Sequence, residues 1–337
     1  TIVDASDPTA PAAAATTADL AALPPPPPPQ QQQLAAATLA LYTAALIFGS
    51  QHSVVKSLVE AVDMPAIVNG ARVALAASLS APWWPGAPWR RGKGGDSVDT
   101  WRAGAELGGW MWLGFALQSI GLHETSASRS AFLLYLNVKL VPLLSLALYG
   151  RQSSTATWVS AGLALAGTTL ISYDGAPPNV GDAFSLAAAA ASALFILRLE
   201  AASSPQRGLV GAELNAATLT ICAALCALWA GAELMRAEPT RASAALSNLA
   251  GHPLELLHLA AVVTFVANWL QTFGQARIPA PQAAIIFSLD PVIGSAFAWA
   301  LLGETRGAQG ALGVGMVLSG IIVSSRGSTS KVEPDKL

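Results

Sequence analysis

Charged residues are scarce in this sequence: they make up 11% of its 337 residues, against 53% for hydrophobic residues. Because a soluble domain usually carries about 25% charged residues, this composition disfavours a water-soluble protein. The formal net charge is only -2, and the basic residues form no concentrated stripe. We therefore expect no nucleic-acid partner, since such a surface needs clustered positive charge.

Cysteine is almost absent, and so are the motifs of common enzymes. Cys222 and Cys226 are the only cysteines, and their spacing places both on one face of an apolar helix, where we expect them to pack as thiols. Two thiols are too few ligands for a metal site, so none is predicted. The sequence has no catalytic triad, nucleotide-binding loop, metalloprotease helix or Asn-X-Ser/Thr acceptor. Neither an enzyme nor a required cofactor is expected.

Long apolar runs are abundant. Stretches of 18 or more residues with one charge or none can cross a bilayer as helices. With proline and glycine as boundaries, the pattern predicts an all-α membrane protein with ten transmembrane helices. The predicted helices cover residues 36 to 58, 64 to 83, 103 to 121, 127 to 149, 155 to 173, 183 to 202, 210 to 233, 254 to 274, 280 to 302 and 308 to 325. The longest predicted loops are 84 to 102 and 234 to 253.

The two ends of the chain differ from the rest. Residues 1 to 33 are rich in Ala, Thr and Pro, and they end in six prolines and four glutamines. Such a segment buries little apolar surface, so it is predicted to be a tail whose proline run is a stiff polyproline II rod. Residues 326 to 337 form a second, polar tail. The remaining domains are two five-helix repeats, at 34 to 174 and 175 to 325.

The two repeats follow from comparing the chain with itself at an offset of 153 residues, where no gap is needed over about fifty positions. Glutamine and glycine positions coincide: Gln118 with Gln271, Gly121 with Gly274, Gly162 with Gly315 and Gly167 with Gly320. Apolar composition alone would match many alanines and leucines, but it would not readily place these residues in register. The pattern indicates an internal duplication.

An odd number of helices in each repeat makes the second repeat enter the membrane from the opposite side, which gives an inverted repeat. Both termini then lie on one side, together with most of the basic residues: Arg90, Arg91, Lys93, Arg102, Arg151, Arg207, Arg277, Arg326, Lys331 and Lys336. By the positive-inside rule, we expect this side to face the cytosol, the stroma or an equivalent compartment.

Two segments resemble a known family. They are GLHETSASRSAFLLYLNVKLVPLLSLALYG, which starts at Gly121, and its repeat partner IPAPQAAIIFSLDPVIGSAFAWALLGE, which ends in a Gly-Glu pair. Over residues 40 to 325 the sequence is similar to EamA-type transporters of the drug/metabolite transporter superfamily. The resemblance implies a ten-helix carrier built from two inverted EamA-like repeats. Arg151 departs from the family pattern, which usually has a glutamate there, and Pro142 lies downstream of the usual proline.

Three charged residues fall near the middle of predicted helices: Arg72, Lys139 and Asp290. A charge in the bilayer is costly unless it faces a cavity or a partner. One interpretation is a substrate site at the repeat interface, with Asn137 as the repeat counterpart of Asp290 and two cations that favour an anionic solute. The alternative is an ion pair of Asp290 with Lys139 or Arg72 that only stabilises helix packing.

Neutral polar residues extend this predicted site. Gln118, Gln271 and Asn268 are candidates for solute contacts, although amides between membrane helices also bond to one another. Pro291 and Pro142 interrupt backbone hydrogen bonding within their predicted helices and are candidate hinges.

His52 and His258 are candidate ligands of a chlorophyll magnesium, or else ordinary hydrogen-bonded histidines. Chlorophyll or carotenoid would be a cofactor only if the chain were a subunit of a pigment-containing complex.

Two functions remain open at this point. The first is a secondary transporter that moves small organic metabolites across a cell or organellar membrane by alternating access. The second is a non-transporting structural subunit of a large membrane complex, such as a photosystem or light-harvesting supercomplex, held through the N-terminal tail. The composition of that tail suits an organelle protein, which suggests the plastid envelope or the thylakoid. The expected partners are the lipid bilayer and a small-molecule solute, with a larger complex in the second case.

Overall fold

The computed structural model describes residues 28–90, 96–124, 130, 133–134, 136–172, 179–290, 292–293 and 307–329. Within these ranges the chain is helical and contains no β-strand. The helices are α1 (Pro28–Val62), α2 (Pro65–Ser80), α3 (Ser97–Glu124), α4 (Asn137–Tyr149), α5 (Thr155–Ser172), α6 (Val180–Ser203), α7 (Gly211–Arg236), α8 (Pro239–Ala250), α9 (Pro253–Gln275), α10 (Ala280–Phe287) and α11 (Gly307–Thr329). All but α8 correspond to the ten predicted segments.

Four of the described helices are long and apolar enough to cross a membrane by length and composition alone. They are Gln31–Val62 within α1, together with α6, α7 and α9. With its 24 residues, α6 is about 36 Å long at 1.5 Å per residue, which exceeds the roughly 30 Å thickness of the hydrocarbon core. The exposed Trp83, Trp84 and Trp89 follow α2, as expected for aromatic side chains near a membrane surface.

Helices extend into both predicted tails. The first helix begins at Pro28, inside the segment predicted as a polyproline rod, and α11 continues to Thr329. Proline is tolerated in the first turn of a helix because its missing N–H has no partner there, and the glutamines that follow are good helix formers. The helical propensity of Gln30 to Gln33 therefore extends α1 beyond its apolar part.

The predicted loop 234 to 253 is also wrong, because it contains the helix α8. Ala245 and Leu249 are buried on one face of α8, which packs against the end of α1. Arg241 forms an ion pair with Asp63 (3.0 Å), and the side-chain amide of Asn248 donates to the carbonyl of Ala61 (2.9 Å). A short amphipathic helix was missed because its apolar face is too narrow to give a membrane-spanning signal.

Corresponding helices of the two repeats run antiparallel. Along α2 and α7, Ala66 N–H donates to the Glu233 carboxylate (3.0 Å), and one turn further along α2, Gly70 lies against Ala230. Along α5 and α11, Gly167 lies against Gly313, whereas Gly320 lies against Ser160. Residue numbers thus rise on one helix as they fall on its counterpart. This direction confirms the inverted repeat.

The contacts between repeats also come in related pairs. Helix α3 packs on α6 and α7, and its counterpart α9 packs on α1 and α2. Three helices of the first repeat also pack directly against their own counterparts in the second: α2 against α7, α5 against α11, and α4 against α10. Such pairing is what an approximate two-fold axis between the repeats requires, and it places α4 and α10 side by side at the repeat interface.

Both helices of this interface are interrupted at equivalent positions. Leu136 lies in a turn directly before α4, and its counterpart Leu289 lies in the turn that follows α10. Asn137 and Asp290 come immediately after these turns. Breaks of this kind inside a membrane are tolerated where the backbone faces protein or a cavity.

Candidate functional site

A cavity of about 120 Å³ lies between the two repeats. This volume is well above the roughly 15 Å³ that a cavity needs to hold one water, so it has room for a small solute. Its described wall consists of Phe48 and Gln51 of α1, Arg72 of α2, Trp110, Met111, Gly114, Phe115 and Gln118 of α3, Leu134, Asn137 of α4, Ala188, Ser192, Phe195 and Ile196 of α6, Val263, Asn268 and Gln271 of α9, Phe287 of α10, and Asp290.

The wall follows the internal symmetry of the chain. Five pairs of lining residues are separated by 153 positions: Trp110 and Val263, Phe115 and Asn268, Gln118 and Gln271, Leu134 and Phe287, Asn137 and Asp290. Equivalent positions of two repeats can meet in one cavity only near the axis that relates them. The cavity therefore lies on the approximate two-fold axis, where an inverted-repeat carrier holds its solute.

Arg72 is the cation of the described cavity wall. It is 2% exposed, its Nε donates to Thr264 Oγ1 (3.2 Å), and its guanidinium carbon lies 4.2 Å from the centre of the Phe115 ring. Thr264 belongs to a π-helical stretch of α9, His258–Val266, and its hydroxyl also donates to the carbonyl of Leu259. Within the described residues Arg72 has no carboxylate partner, so its terminal nitrogens are available to an anionic group.

Asp290 is the acidic residue of the cavity wall. It is 7% exposed, and its Oδ1 is buried without a hydrogen bond. Lys139 is half-buried on α4 and is not part of the described wall. The ion pairs considered for Asp290, with Lys139 or with Arg72, do not occur among the described residues. The described cavity wall thus contains one cation and one acid that do not pair with each other, instead of two cations and one acid.

The predicted amides line the same cavity. The side chain of Asn268 donates to the carbonyl of Thr264 (2.7 Å), and that of Gln271 donates to Gln275 Oε1 (3.0 Å). Asn137 donates to Ser192 Oγ (3.3 Å), while its Oδ1 is buried without a partner. Unsatisfied polar atoms of this kind are uncommon in folded proteins, and here they line a space where a solute can bind.

The remaining candidates are not among the described residues of the cavity wall. Pro142 is buried within the continuous helix α4, and Pro291 lies outside the described residues, so neither hinge prediction is tested. Nε2 of the half-buried His258 is 3.0 Å from Ser50 Oγ, an ordinary hydrogen bond. The side chain of His52 lies outside the described part of the chain.

Sequence reasoning missed the aromatic part of the wall. Trp110, Phe115 and Phe287 had no polar signal to distinguish them from residues that face lipid. The repeat offset carried the missing information, because Phe115 is the counterpart of Asn268, which was selected. The π-helical stretch around Thr264 had no such signal.

Ion pairs join the repeats at the end of the molecule where α1 begins and α11 ends. Arg198 of α6 donates to Glu106 of α3 (2.9 Å) and to the hydroxyl of Tyr149 (3.0 Å). Arg151 is 3.1 Å from Glu200, whose other oxygen accepts the N–H of the first residue of α10 (3.3 Å). Partly exposed pairs are individually weak, but this termini-end network connects α3 and α4 to α6 and α10. It joins the two repeats at this end of the molecule.

Comparisons with known proteins agree with this architecture. The chain matches the EamA-like transporter family over residues 35–173 and again over 180–326, one match for each repeat. It is 27% identical over 290 residues to an uncharacterized transporter of Archaeoglobus fulgidus, covering 86% of this chain and 85% of that protein. A solved crystal structure superposes with a TM-score of 0.65 at 14% identity, covering 89% of this chain and 99% of that one, which supports the fold. With its apolar helices, this is an integral, multi-pass membrane protein. The chain belongs to the EamA-like transporter family.

Proposed function

We propose that this protein is a secondary transporter that moves a small organic anion across its membrane by alternating access. The observation that carries the proposal is the cavity on the approximate two-fold axis, where Arg72 and Asp290 have no ion-pair partner among the described residues. A purely structural ion pair would join the two charges, since a buried charge without a partner is strongly unfavourable. Their separation favours a site that a solute completes.

Arg72 supports an anionic solute. A guanidinium presents a planar set of donors that matches carboxylate and phosphate groups, and Arg72 is already oriented by Thr264 and the Phe115 ring. The amides of Gln118 and Gln271 provide further donors and acceptors, while Trp110 and Phe287 provide apolar surface. A monoanion with a short apolar or aromatic part fits this combination.

The repeats provide the mechanism. Each repeat has a helix interrupted beside the cavity, at Leu136 and Leu289, and such interruptions allow the two parts of a helix to move separately. The termini-end network of Arg198 and Arg151 must open before the cavity can reach that side. Because the repeats are related by approximate symmetry, the opposite opening follows by exchanging their roles.

Orientation and location are also proposals. The excess of Lys and Arg on the termini side supports placing both termini in the cytosol or an equivalent compartment. The alternative of a structural subunit in a pigment-containing complex depends on residues 1 to 27, which lie outside the described residues. No observation on the described residues favours it over transport.

Purified protein in liposomes tests the proposal. The lumen is loaded in turn with pyruvate, benzoate, glycerate and alanine, and counterflow of the same labelled compound is measured. We expect a monoanion to exchange, with at least a tenfold loss in Arg72→Ala and partial recovery in Arg72→Lys, because the cation is retained without the fork-shaped donor set.

Arg102→Ala is the matched control, since Arg102 is exposed near the start of α3 and is not part of the described cavity wall. Equal loss in both variants, with both folded, would contradict a role for Arg72 in binding. Absence of exchange for every compound in the wild-type protein, including an extended panel of anions, would refute the proposed function.

A further inference from the structure

Among the residues that the structure describes, Asp290 is a buried acid with no hydrogen-bonding or ion-pair partner for its Oδ1. It is 7% exposed and lines the cavity, and its Oδ1 has no hydrogen bond. Gly49 of α1 packs closely against the backbone carbonyl of Asp290, so that the segment is held at the helix interruption. An ionised carboxylate in such surroundings is strongly unfavourable unless a proton or a cation neutralises it.

Arg72 of α2 is the only cation in the described cavity wall, and the helices that pack against α10 add no second one to it. Helix α10 packs against α1, α4, α5, α6 and α11. The other titratable residues of these helices are not part of the described wall: Tyr42, His52, Lys56 and Glu60 of α1, Lys139 and Tyr149 of α4, Asp182, Arg198 and Glu200 of α6, and Arg326 of α11. No nitrogen of Arg72 lies within 4 Å of the Asp290 carboxylate in the described structure.

We propose, building on the transport function proposed above, that Asp290 is a proton-binding group and that one proton crosses the membrane with each solute anion. In the empty cavity the cation of Arg72 and an ionised Asp290 sum to zero charge. A monoanion that binds Arg72 leaves the occupied cavity with one negative charge unless Asp290 takes up a proton. Closing a cavity of low dielectric constant around a net charge is costly, so the protonated, neutral complex is the form that crosses.

The proton balance is simple. On the side where the cavity is open, a proton from water binds a carboxylate oxygen of Asp290 as the anion binds Arg72. Both leave to the other side after the cavity opens there, and the carboxylate is restored. No bond other than O–H forms or breaks, and the cycle moves no net charge. Asn137, the repeat counterpart of Asp290, cannot ionise, which confines the proton to one of the two equivalent positions.

Infrared spectroscopy of the full-length protein in lipid tests the protonated acid without knowledge of the solute. Difference spectra are recorded while pH is raised from about 4 to about 9, a range that includes the ordinary carboxyl titration. We expect a carbonyl band of a buried, protonated carboxylic acid that persists above the range of exposed carboxyls, in sodium-free buffer, and that disappears as pH rises further and Asp290 of the empty cavity ionises. The band should disappear in Asp290→Asn and shift in frequency in Asp290→Glu.

Asp63→Asn is the matched control, because Asp63 is exposed and its positive φ of 56° suits asparagine. It should retain the band. Gel filtration establishes that each variant is folded, and Asp290→Glu keeps the test valid if Asp290→Asn does not fold. A wild-type protein without the band, or a band that survives in Asp290→Asn, would overturn the assignment. Loss of the band on adding sodium at constant pH would also overturn it, since a metal cation would then occupy the carboxylate.

Coupling is measured separately in liposomes with the exchanged monoanion. We expect a ratio of about one proton per anion and uptake that does not respond to an imposed potassium diffusion potential, as electroneutral movement requires. Potential-dependent uptake, or exchange of the zwitterion alanine without proton movement, would refute the coupling but not transport. Absence of all exchange would instead refute the proposed function.

Discussion

Two glycines of α5, Gly162 and Gly167, are equally conspicuous in the repeat comparison but differ in their surroundings. A Cβ atom on Gly167 would lie 2.5 Å from the carbonyl oxygen of Gly313 and 2.9 Å from the amide nitrogen of Val317. A Cβ atom on Gly162 would meet nothing within 4 Å. The same substitution, glycine to alanine, should therefore have opposite effects at two positions of one helix.

The expected magnitudes follow from these contacts. Overpacking typically costs about 1–3 kcal/mol, and at Gly167 the obstacle is backbone of α11, which cannot rotate aside. Replacing a helical glycine by alanine returns about 0.5–1 kcal/mol. We expect Gly167→Ala to lower the free energy of unfolding by about 1–2 kcal/mol, a factor of roughly 5–30 in the unfolding equilibrium. Gly162→Ala should raise it by about 0.5–1 kcal/mol.

Denaturant unfolding in detergent, followed by helical circular dichroism, measures both effects. Solute exchange by Gly167→Ala below its unfolding temperature should match that of the wild type, because α5 and α11 contribute no residue to the described cavity wall. Two results would contradict the close packing of α5 on α11 at Gly167. One is a Gly167→Ala variant as stable as the wild type, and the other is a Gly162→Ala variant that is the more destabilised of the two.

Three further predictions concern the cavity and its closure. Arg198→Gln should weaken the termini-end network by about 1 kcal/mol. A cysteine introduced by Ser192→Cys in the cavity wall should then react with a thiol reagent roughly fivefold faster from that side. An unchanged reaction rate would show that the network does not control opening of the cavity. Gly49→Val places side-chain atoms against the carbonyl of Asp290, which lies 3.1 Å from the Cβ position. It should lower the unfolding free energy by about 1–3 kcal/mol and abolish most of the counterflow. Wild-type stability and counterflow would contradict the contact of α1 with this segment. Gln275→Leu removes a buried donor to the carbonyl of Ile196 (3.0 Å). It should lower the unfolding free energy by about 1–3 kcal/mol and raise the KM for exchange. Unchanged stability would show that this hydrogen bond is not needed.

The candidate site shows where sequence reasoning succeeded. Gln118, Gln271, Asn137 and Asp290 were selected because they are polar in apolar helices and recur at the repeat offset, and all four line one cavity. The reason is physical: polar side chains are expensive in lipid, and equivalent positions meet at the axis that relates the repeats. The role of these residues in binding stays a prediction until exchange is measured.

Lys139 shows where the same reasoning was insufficient. It has the same mid-helix position as the selected residues, yet it does not belong to the described cavity wall. The charge of a residue and its depth in a helix can be counted along the chain, but the face of the helix that meets a neighbour depends on how the helices cross. One cation fewer changes the balance of the cavity and leads to the coupling proposed for Asp290.

By itself the sequence determined the all-helical membrane fold, the two repeats and their opposite orientation, because apolar length, internal similarity and an odd helix count are properties of the chain alone. Only the tertiary structure decided which glycines are at close contacts, that α8 packs on the end of α1, and that Arg72 and Asp290 share a cavity without pairing. Those features depend on distances between segments far apart in sequence, and such distances are fixed only when the helices pack.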